Sequence, residues 1–520
     1  MYIFYDLETT DIDRDFGQIL QVGLVVTDDD LNIVEEKSLR CRLQPAVVPS
    51  PQALLVTGIT PEQLTDEDDT IFTMMQEIDQ LLRSYDWPIT TSGYNSMDFD
   101  ERGLRSALHQ TLMDPSLTFQ KQDDDTPRNQ RIDVMRLVQA CIVHAPDALT
   151  LEQKTRHKTP QPAISLGVVA RQNGVEFSEE EAHEAVADVK ATIAVAKKIR
   201  DEAPVLWQQM LNMVTEEGVK EFLDENEIVS YATGYAGNMK HYMVAPVAVN
   251  DAYERQEILF DLTQDPADYM DKPMSELAAL LNKDTGKKAK NNPFYKVLMQ
   301  KQPIFMSLED TAKELLPADI DEETLKTRAA QIRDNLEFQA KIAQAAALAE
   351  EEIPVPDAIE KQLYIDLPAE VETRLSVWRD EFQAGDWETR ADLMRGFAAR
   401  FADDLKDNPT LARFPEFAKR IIFENAPQDT LTAQEQKAFK ASIHHKMTDP
   451  DAPEKMMTIA RAHEMLDKMR EELAAGTCKY VQAGEEHKLD ELAEFYNRLE
   501  QKFAPAPAQA PKPPKPAAPK

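Results

Sequence analysis

The sequence predicts a mixed α/β domain, then a small β-rich module, then an α-helical domain. Three observations carry that reading. Short β-rich runs alternate with helical patterns through residues 1–202. The runs IVSYATGY, HYMVAPVAV and EILFDL, with Gly and Asn between them, crowd residues 227–265. From 308 to 502 only four glycines occur (Gly385, Gly396, Gly476 and Gly484), while Ala, Glu, Lys and Leu recur at helical spacing. We place the divisions at 1–202, 203–355, 356–502 and 503–520, in keeping with a length of 520 residues.

The elements follow in order. YIFYD at 2–6, QILQVGLVV at 18–26 and VEEKSLRCRL at 34–43 read as three hairpin-linked strands with Asp-rich turns between them. Thr60-Pro61-Glu62-Gln63 has an N-cap threonine, proline at the first helical position and a glutamine three residues after the cap, so a helix starts there on a capping box. PITTSGY at 88–94 and RIDV at 131–134 supply two further strands, each running into a helical pattern. Residues 203–223 read as a helical connector to the β-rich module, where Tyr231, Tyr235 and Tyr242 are expected to serve the small core. Val371, Leu375, Trp378 and Phe382 step by four, three and four, the stripe of one buried helix face. The tail from 504, APAPAQAPKPPKPAAPK, cannot enter a helix or sheet interior and reads as an extended, solvated and disordered segment.

Composition narrows the function classes. With 58 basic and 93 acidic side chains the net charge is −35, which excludes a histone-like wrapper and leaves any nucleic-acid role to local basic patches or bound cations. Two patches qualify: Lys283, Lys287, Lys288, Lys290 and Lys296 beside Phe294 and Tyr295, and Lys154, Arg156, His157 and Lys158. Both also fit solvated surface loops. Cys41, Cys141 and Cys478 lie too far apart for a disulfide framework or a CxxC metal site, so a reducing, cytoplasmic compartment is expected. MYIFYDLETT lacks a basic n-region, so no secretory leader is expected, and no apolar run approaches the roughly 20 residues of a bilayer span.

Acidic residues carry the candidate chemistry. Asp6 and Glu8 stand two apart in a predicted strand, so both point to one face. Side by side among Ile3, Phe4, Tyr5 and Leu7 they destabilise the strand unless a cation neutralises them, which asks for a metal. Alone, such a pair also fits a strand end running into an acidic turn. GYNSMDFDERGLR at 93–105 puts Asp98, Asp100 and Glu101 at a helix start, where the dipole favours acids in any case. In the stretch from His183, five helical steps of about 100° would set His183 and Asp188 roughly 140° apart. His183 is therefore expected in the loop before the helix and Asp188 on the helix. A histidine in such a place also fits a surface or capping role.

In combination these segments resemble a known family. DLET at 6–9, NxxxFDxxxLR at 95–105 and HxAxxDV at 183–189 are similar to the three motifs of the DEDDh branch of DnaQ-like 3′→5′ exonucleases. LLVTGITPEQL at 54–64, RIDVMRL at 131–137 and SLGVVARQNGVE at 165–176 narrow the resemblance to the exodeoxyribonuclease I family. It implies a ribonuclease H-like exonuclease domain whose mixed sheet has three antiparallel and two parallel strands. A small SH3-like domain and a helical domain would follow and close around a DNA strand. By the same resemblance Asp6, Glu8, Asp100 and Asp188 would hold two Mg²⁺ ions, with Mn²⁺ able to substitute, and His183 would be the general base. Asp100 is preferred to Asp98 because the family acid directly follows the phenylalanine; Glu101 is read as a solvated helix acid. Substrate contacts are expected from Thr9, Tyr94, Asn95, Lys287, Lys288 and Lys290. The implied activity is degradation of single-stranded DNA to 5′-mononucleotides in DNA repair and recombination, by a monomer that also binds single-stranded DNA-binding protein and no membrane. The competing reading is an RNA 3′-end-processing or proofreading exonuclease of the same superfamily. Those are usually small single domains, and about 300 further residues follow the motifs here.

Overall fold

A computed structural model describes residues 1–120, 127–156, 159–175, 184–287, 289, 291–351 and 354–504. Its first sheet is built from β1 (Tyr2–Thr9), β2 (Ile19–Thr27), β3 (Ile33–Arg40), β4 (Thr90–Gly93) and β5 (Gln130–Asp133) in the order β3-β2-β1-β4-β5. β2 pairs antiparallel with β1 and β3, while β4 lies parallel to β1 and to β5. This is the ribonuclease H-like mixed sheet that the motifs imply. Central β1 is buried on both faces and alternates its side chains accordingly. Ile3, Tyr5 and Leu7 join the helix Ile71–Ser84 and Leu104 and Leu108 of the helix Asp100–Gln110. Phe4 points the other way, toward the helices Val134–His144 and Ala185–Glu202. The capping-box bonds at Thr60 form, with Thr60 N–H donating to Gln63 Oε1 at 2.8 Å and Gln63 N–H to Thr60 Oγ1 at 3.4 Å, but the helix they start runs only over Gln63–Asp66.

β6 (Gln153–Arg156) and β7 (Thr159–Pro162) form a separate hairpin across the second basic segment, of which His157 and Lys158 lie outside the described residues. The connector is two helices, Pro204–Asn212 and Glu216–Glu225. The β-rich module is a second five-stranded sheet: β8 (Val229–Tyr235), β9 (Asn238–Asn250), β10 (Tyr253–Asp261), β11 (Phe294–Leu298) and β12 (Ile304–Ser307), ordered β11-β10-β9-β8-β12. Tyr231 packs 5.4 Å from Phe305 and Tyr242 4.6 Å from Tyr295, centroid to centroid, as small-core residues do. Tyr235 does not: it is 83% exposed, because β8 ends there and the chain turns through Ala236 and Gly237. The segment expected as a basic loop is regular structure at both of its ends. Lys283–Gly286 is a short helix, Phe294 is buried in β11, and Lys296 of that strand pairs with Glu350. Helices Glu322–Arg333 and Leu336–Leu348 pack Leu325, Ile332, Phe338 and Ile342 under Ile258 and Phe260, so helical sequence begins inside this module.

In the C-terminal helices the predicted stripe is observed: Val371, Leu375, Trp378 and Phe382 of Ala369–Ala384 are all buried. Their core continues into the first sheet's helices. Phe72 lies 6.3 Å from Phe382 and 6.0 Å from Trp387, and His109 sits 5.8 and 5.4 Å from Phe414 and Phe417. Among the described residues no helix is long and apolar enough to cross a membrane. The Pro/Ala/Lys tail from residue 505 lies outside the described residues.

Candidate active site

The carboxylates meet where β1 passes under a helix start. Asp6 and Glu8 share the face of β1 that carries Phe4, and they stand opposite Gly23 and Gln21 of β2. At Gly23 the backbone of the Ala185–Glu202 helix descends onto the sheet, so that a Cβ there would lie 2.5 Å from the Ala185 carbonyl carbon and 2.6 Å from the Val186 nitrogen. Only glycine permits that approach, and it brings Asp188, in the first turn of the helix, down to the strand. Glu184 caps the helix by accepting from Ala187 N–H, and Gln21 Nε2 donates to Glu184 Oε1 at 3.0 Å, which fastens the helix start to β2. Ligand oxygens of Asp6, Glu8 and Asp188 thereby fall within 4.8 Å of one another.

Asp100 stands beside this group. It is buried at the first position of its helix, and its Oδ1 accepts from Leu7 N–H at 3.3 Å, between Asp6 and Glu8. The turn leading to it is held from beneath by Asp133, which caps the Val134–His144 helix and also accepts from Asn95 N–H at 2.8 Å and Met97 N–H at 3.2 Å. Gly93, at the end of β4, leaves room for that turn: a Cβ there would lie 2.7 Å from Tyr5 O.

Burial and mutual repulsion raise the proton affinity of the cluster. Burial foremost, then Asp188, lifts Asp6 to about 7. Glu8 rises to about 9 through burial and the charges of Asp6, Asp188, Asp100 and Glu184. Burial and Asp6 hold Asp100 well above the usual carboxylate range. A set of partly to fully buried oxygen donors that repel one another fits a hard divalent cation, whose charge reverses the field that raises them.

The other predicted residues fall as follows. His183 lies outside the described residues. Asp98 does not join the cluster; it is exposed and pairs with Lys301 at 3.1 Å and Arg136 at 3.4 Å. Glu101, expected in solvent, is buried and accepts from Tyr5 Oη at 3.0 Å, Thr118 Oγ1 at 2.6 Å and Arg131 at 3.1 Å, because its helix turn faces the core between β1 and β5. Thr9 is half-buried at the end of β1, its hydroxyl donating to Asp11 O. Tyr94, whose hydroxyl donates to Ile164 O, and Asn95 line a cavity of about 410 Å³ with Lys154, Gln161, Ser165 and Tyr235. Lys287 is exposed after the Lys283–Gly286 helix, and Lys288 and Lys290 lie outside the described residues. Gly23, Gln21 and Asp133 were not anticipated. A glycine inside the apolar run QVGLVV was the available signal for the first of them.

A mixed sheet with this acid cluster at the end of its central strand defines a metal-dependent exonuclease of the DnaQ-like class. The family described as Exonuclease matches residues 3–196, and the family described as Exonuclease I SH3-like domain matches residues 218–347. The chain therefore carries an exonuclease domain followed by an SH3-like domain of the exonuclease I type. Exodeoxyribonuclease I of Haemophilus influenzae is 26% identical over 378 residues, covering 70% of this chain and 76% of that one. The Escherichia coli enzyme is 25% identical over 381 residues, covering 70% and 75%. Among solved structures, the moderately thermophilic exonuclease I of Methylocaldum szegediense superposes with a TM-score of 0.74 at 21% identity, over 96% of this chain and 99% of that one. A zinc-bound complex of the E. coli enzyme with single-stranded DNA superposes at 0.73 and 20% identity, over the same shares. At those identities the two structures establish likeness of fold.

Proposed function

We propose that the chain hydrolyses single-stranded DNA from its 3′ end, releasing 5′-mononucleotides. The observation that carries this is the convergence of Asp6, Glu8 and Asp188 within 4.8 Å, with Asp100 beside them, in a chain that joins an exonuclease domain to an SH3-like one. These four carboxylates would hold two Mg²⁺ ions, or Mn²⁺ in their place, and the bound metal would supply a water nucleophilic at neutral pH and neutralise charge on the leaving 3′-oxygen. The remaining work belongs to the chain. His183, in the segment before the Asp188 helix, accepts the proton of the attacking water, a task suited to an imidazole that titrates near neutrality. Thr9, Tyr94 and Asn95 border the place where the terminal nucleotide must lie. The adjoining cavity offers Lys154 to phosphate and the exposed ring of Tyr235 to a base. Lys287, Lys288 and Lys290 track the backbone further along the strand.

The E. coli enzyme has been solved with oligonucleotides, and an SSB/exonuclease I structure has been solved with an inhibitor. By analogy this chain takes single-stranded DNA as substrate and single-stranded DNA-binding protein as partner, as a cytoplasmic monomer acting in repair and recombination. The test is digestion with Mg²⁺ of 3′-labelled and 5′-labelled single-stranded DNA beside a duplex and an RNA of the same sequence. Early release of the 3′ label from single-stranded DNA alone is expected, lowered more than about a hundredfold by Asp188→Ala. Preferred digestion of RNA would place the chain with RNA-trimming enzymes instead.

A further inference from the structure

The turn that delivers Asp100 is gripped by the β-rich domain. After β11 the chain makes one 3₁₀ turn, Met299–Lys301, and Gln302 follows in the left-handed region at φ 47°. Such a conformation is uncommon for a side chain without local polar function. Gln302 is fully buried, and both ends of its amide are used. Its Oε1 accepts from Asp133 N–H at 2.9 Å and its Nε2 donates to Met210 O at 3.3 Å. Asp133 is the carboxylate whose two oxygens hold Asn95 N–H and Met97 N–H. The neighbouring Lys301 reaches the same turn from outside, donating to Met97 O at 2.7 Å and to Asp98 Oδ1 at 3.1 Å. Asp98, two residues before Asp100, is steadied on its other oxygen by Arg136. The catalytic turn 94–99 is thus held by these five bonds: two come from Lys301, two go to an aspartate that Gln302 orients, and one comes from Arg136.

We infer that Lys301 and Gln302 are positioning residues of the β-rich domain that set the location of Asp100 relative to Asp6, Glu8 and Asp188. The inference rests on the proposed role of Asp100 in the hydrolytic site. It gives the second domain a part in the chemistry that is separate from contact with DNA. The acid-bearing turn of one domain is completed by the backbone geometry of another, so the exonuclease domain by itself has an incomplete site.

The experiment compares full-length Lys301→Met, Lys301→Arg and the parent chain. Lys301 is partly exposed, so neither change leaves a buried void. Two readouts are taken: kcat and KM on a 3′-labelled single-stranded oligomer with Mg²⁺, and hydrogen–deuterium exchange of residues 94–104 in metal-free protein. We expect Lys301→Met to lower kcat roughly tenfold or more with KM little changed, and to speed exchange in 94–104. Lys301→Arg, which keeps a donor at that position, should restore both. Unchanged exchange in Lys301→Met overturns the inference, as does a rise in KM with kcat intact, which would make Lys301 a strand contact. Gln302→Leu, which keeps the volume and removes the amide, should speed exchange of the same segment, and unchanged exchange there removes Gln302 from the device. A parent chain without metal-dependent nuclease activity would defeat the functional reading, while the exchange comparison would still decide whether Lys301 holds the turn.

Discussion

Gly23 shows how much of the site depends on one missing atom. The Asp188 helix touches the sheet through backbone at that point, and backbone cannot swing aside as a side-chain end can. Gly23→Ala should lift the helix start, costing about 1–3 kcal/mol in stability by urea denaturation and at least about tenfold in metal-dependent kcat. A variant with lowered stability and full kcat would show that the helix height does not set the site. Glu101 makes the converse point. Next to Asp100 at a helix start it looked like one more dipole-favoured acid, and nothing in its spacing distinguishes it. In the structure it is the shared acceptor of Tyr5, Thr118 and Arg131, side chains 96, 17 and 30 residues away in sequence. Glu101→Ala strips a half-buried guanidinium and two buried hydroxyls of their partner and should destabilise the fold by about 3 kcal/mol, read as a shift in the urea midpoint at unchanged m.

Elements were legible where a local pattern announced them. β1, β2 and β3 alternate or run apolar between Asp-rich turns, and the Trp378 helix repeats its stripe over several turns, so hydrophobic periodicity suffices. β11 and β12 are five and four residues long and are defined only by partners far away, on β10 and β8. A run that short has no period to read, and the lysines before β11 made the segment look like a loop. The cavity at Tyr94 and Asn95 escaped for the same reason, since its walls come from the β4 end, the β6–β7 hairpin and the β8–β9 tip. That tip is built to present a ring. Gln139 Nε2 donates to Ala236 O, Ala236 takes φ 51°, and Gly237 lies so near Pro162 that a Cβ would clash with its carbonyl. The turn is pinned while Tyr235 stands in solvent. If a base stacks there, Tyr235→Ala will weaken binding of a short single-stranded oligomer by about 1–3 kcal/mol in Ca²⁺, with an unchanged melting temperature. Equal affinity of variant and parent would free Tyr235 of that role.

At the scale of the whole molecule, the helical domain and the exonuclease sheet share one core, and a short strap joins them across the back of the Asp100 helix. Residues Ile359–Tyr364 lay Lys361 over the Phe16 ring at 4.8 Å and Tyr364 against Arg105 at 5.0 Å. At the centre Glu360, 5% exposed, takes Arg420 at 2.8 Å and Lys446 on the same oxygen. Burial alone would raise the proton affinity of this carboxyl, but Arg420 and Lys446 outweigh it and bring the group down to about 2. A carboxyl depressed in the folded state stabilises the fold fully above its unfolded value near 4.5, and that contribution disappears as pH falls from there through 2. Replacing it with a neutral amide leaves two cations facing each other in a site built for an anion. Glu360→Gln should therefore cost about 3 kcal/mol at pH 7 by urea denaturation, and the gap between variant and parent should narrow steadily below pH 4.5 as the parent's own carboxylate is protonated. The strap's ring contacts with the Asp100 helix are made to Arg102 and Arg105, not to the carboxylates, so the variant's kcat at temperatures well below its melting point should stay near the parent's. A gap that is the same at pH 7 and pH 3 would mean that Glu360 holds the joint by shape and hydrogen bonding, with its charge contributing nothing.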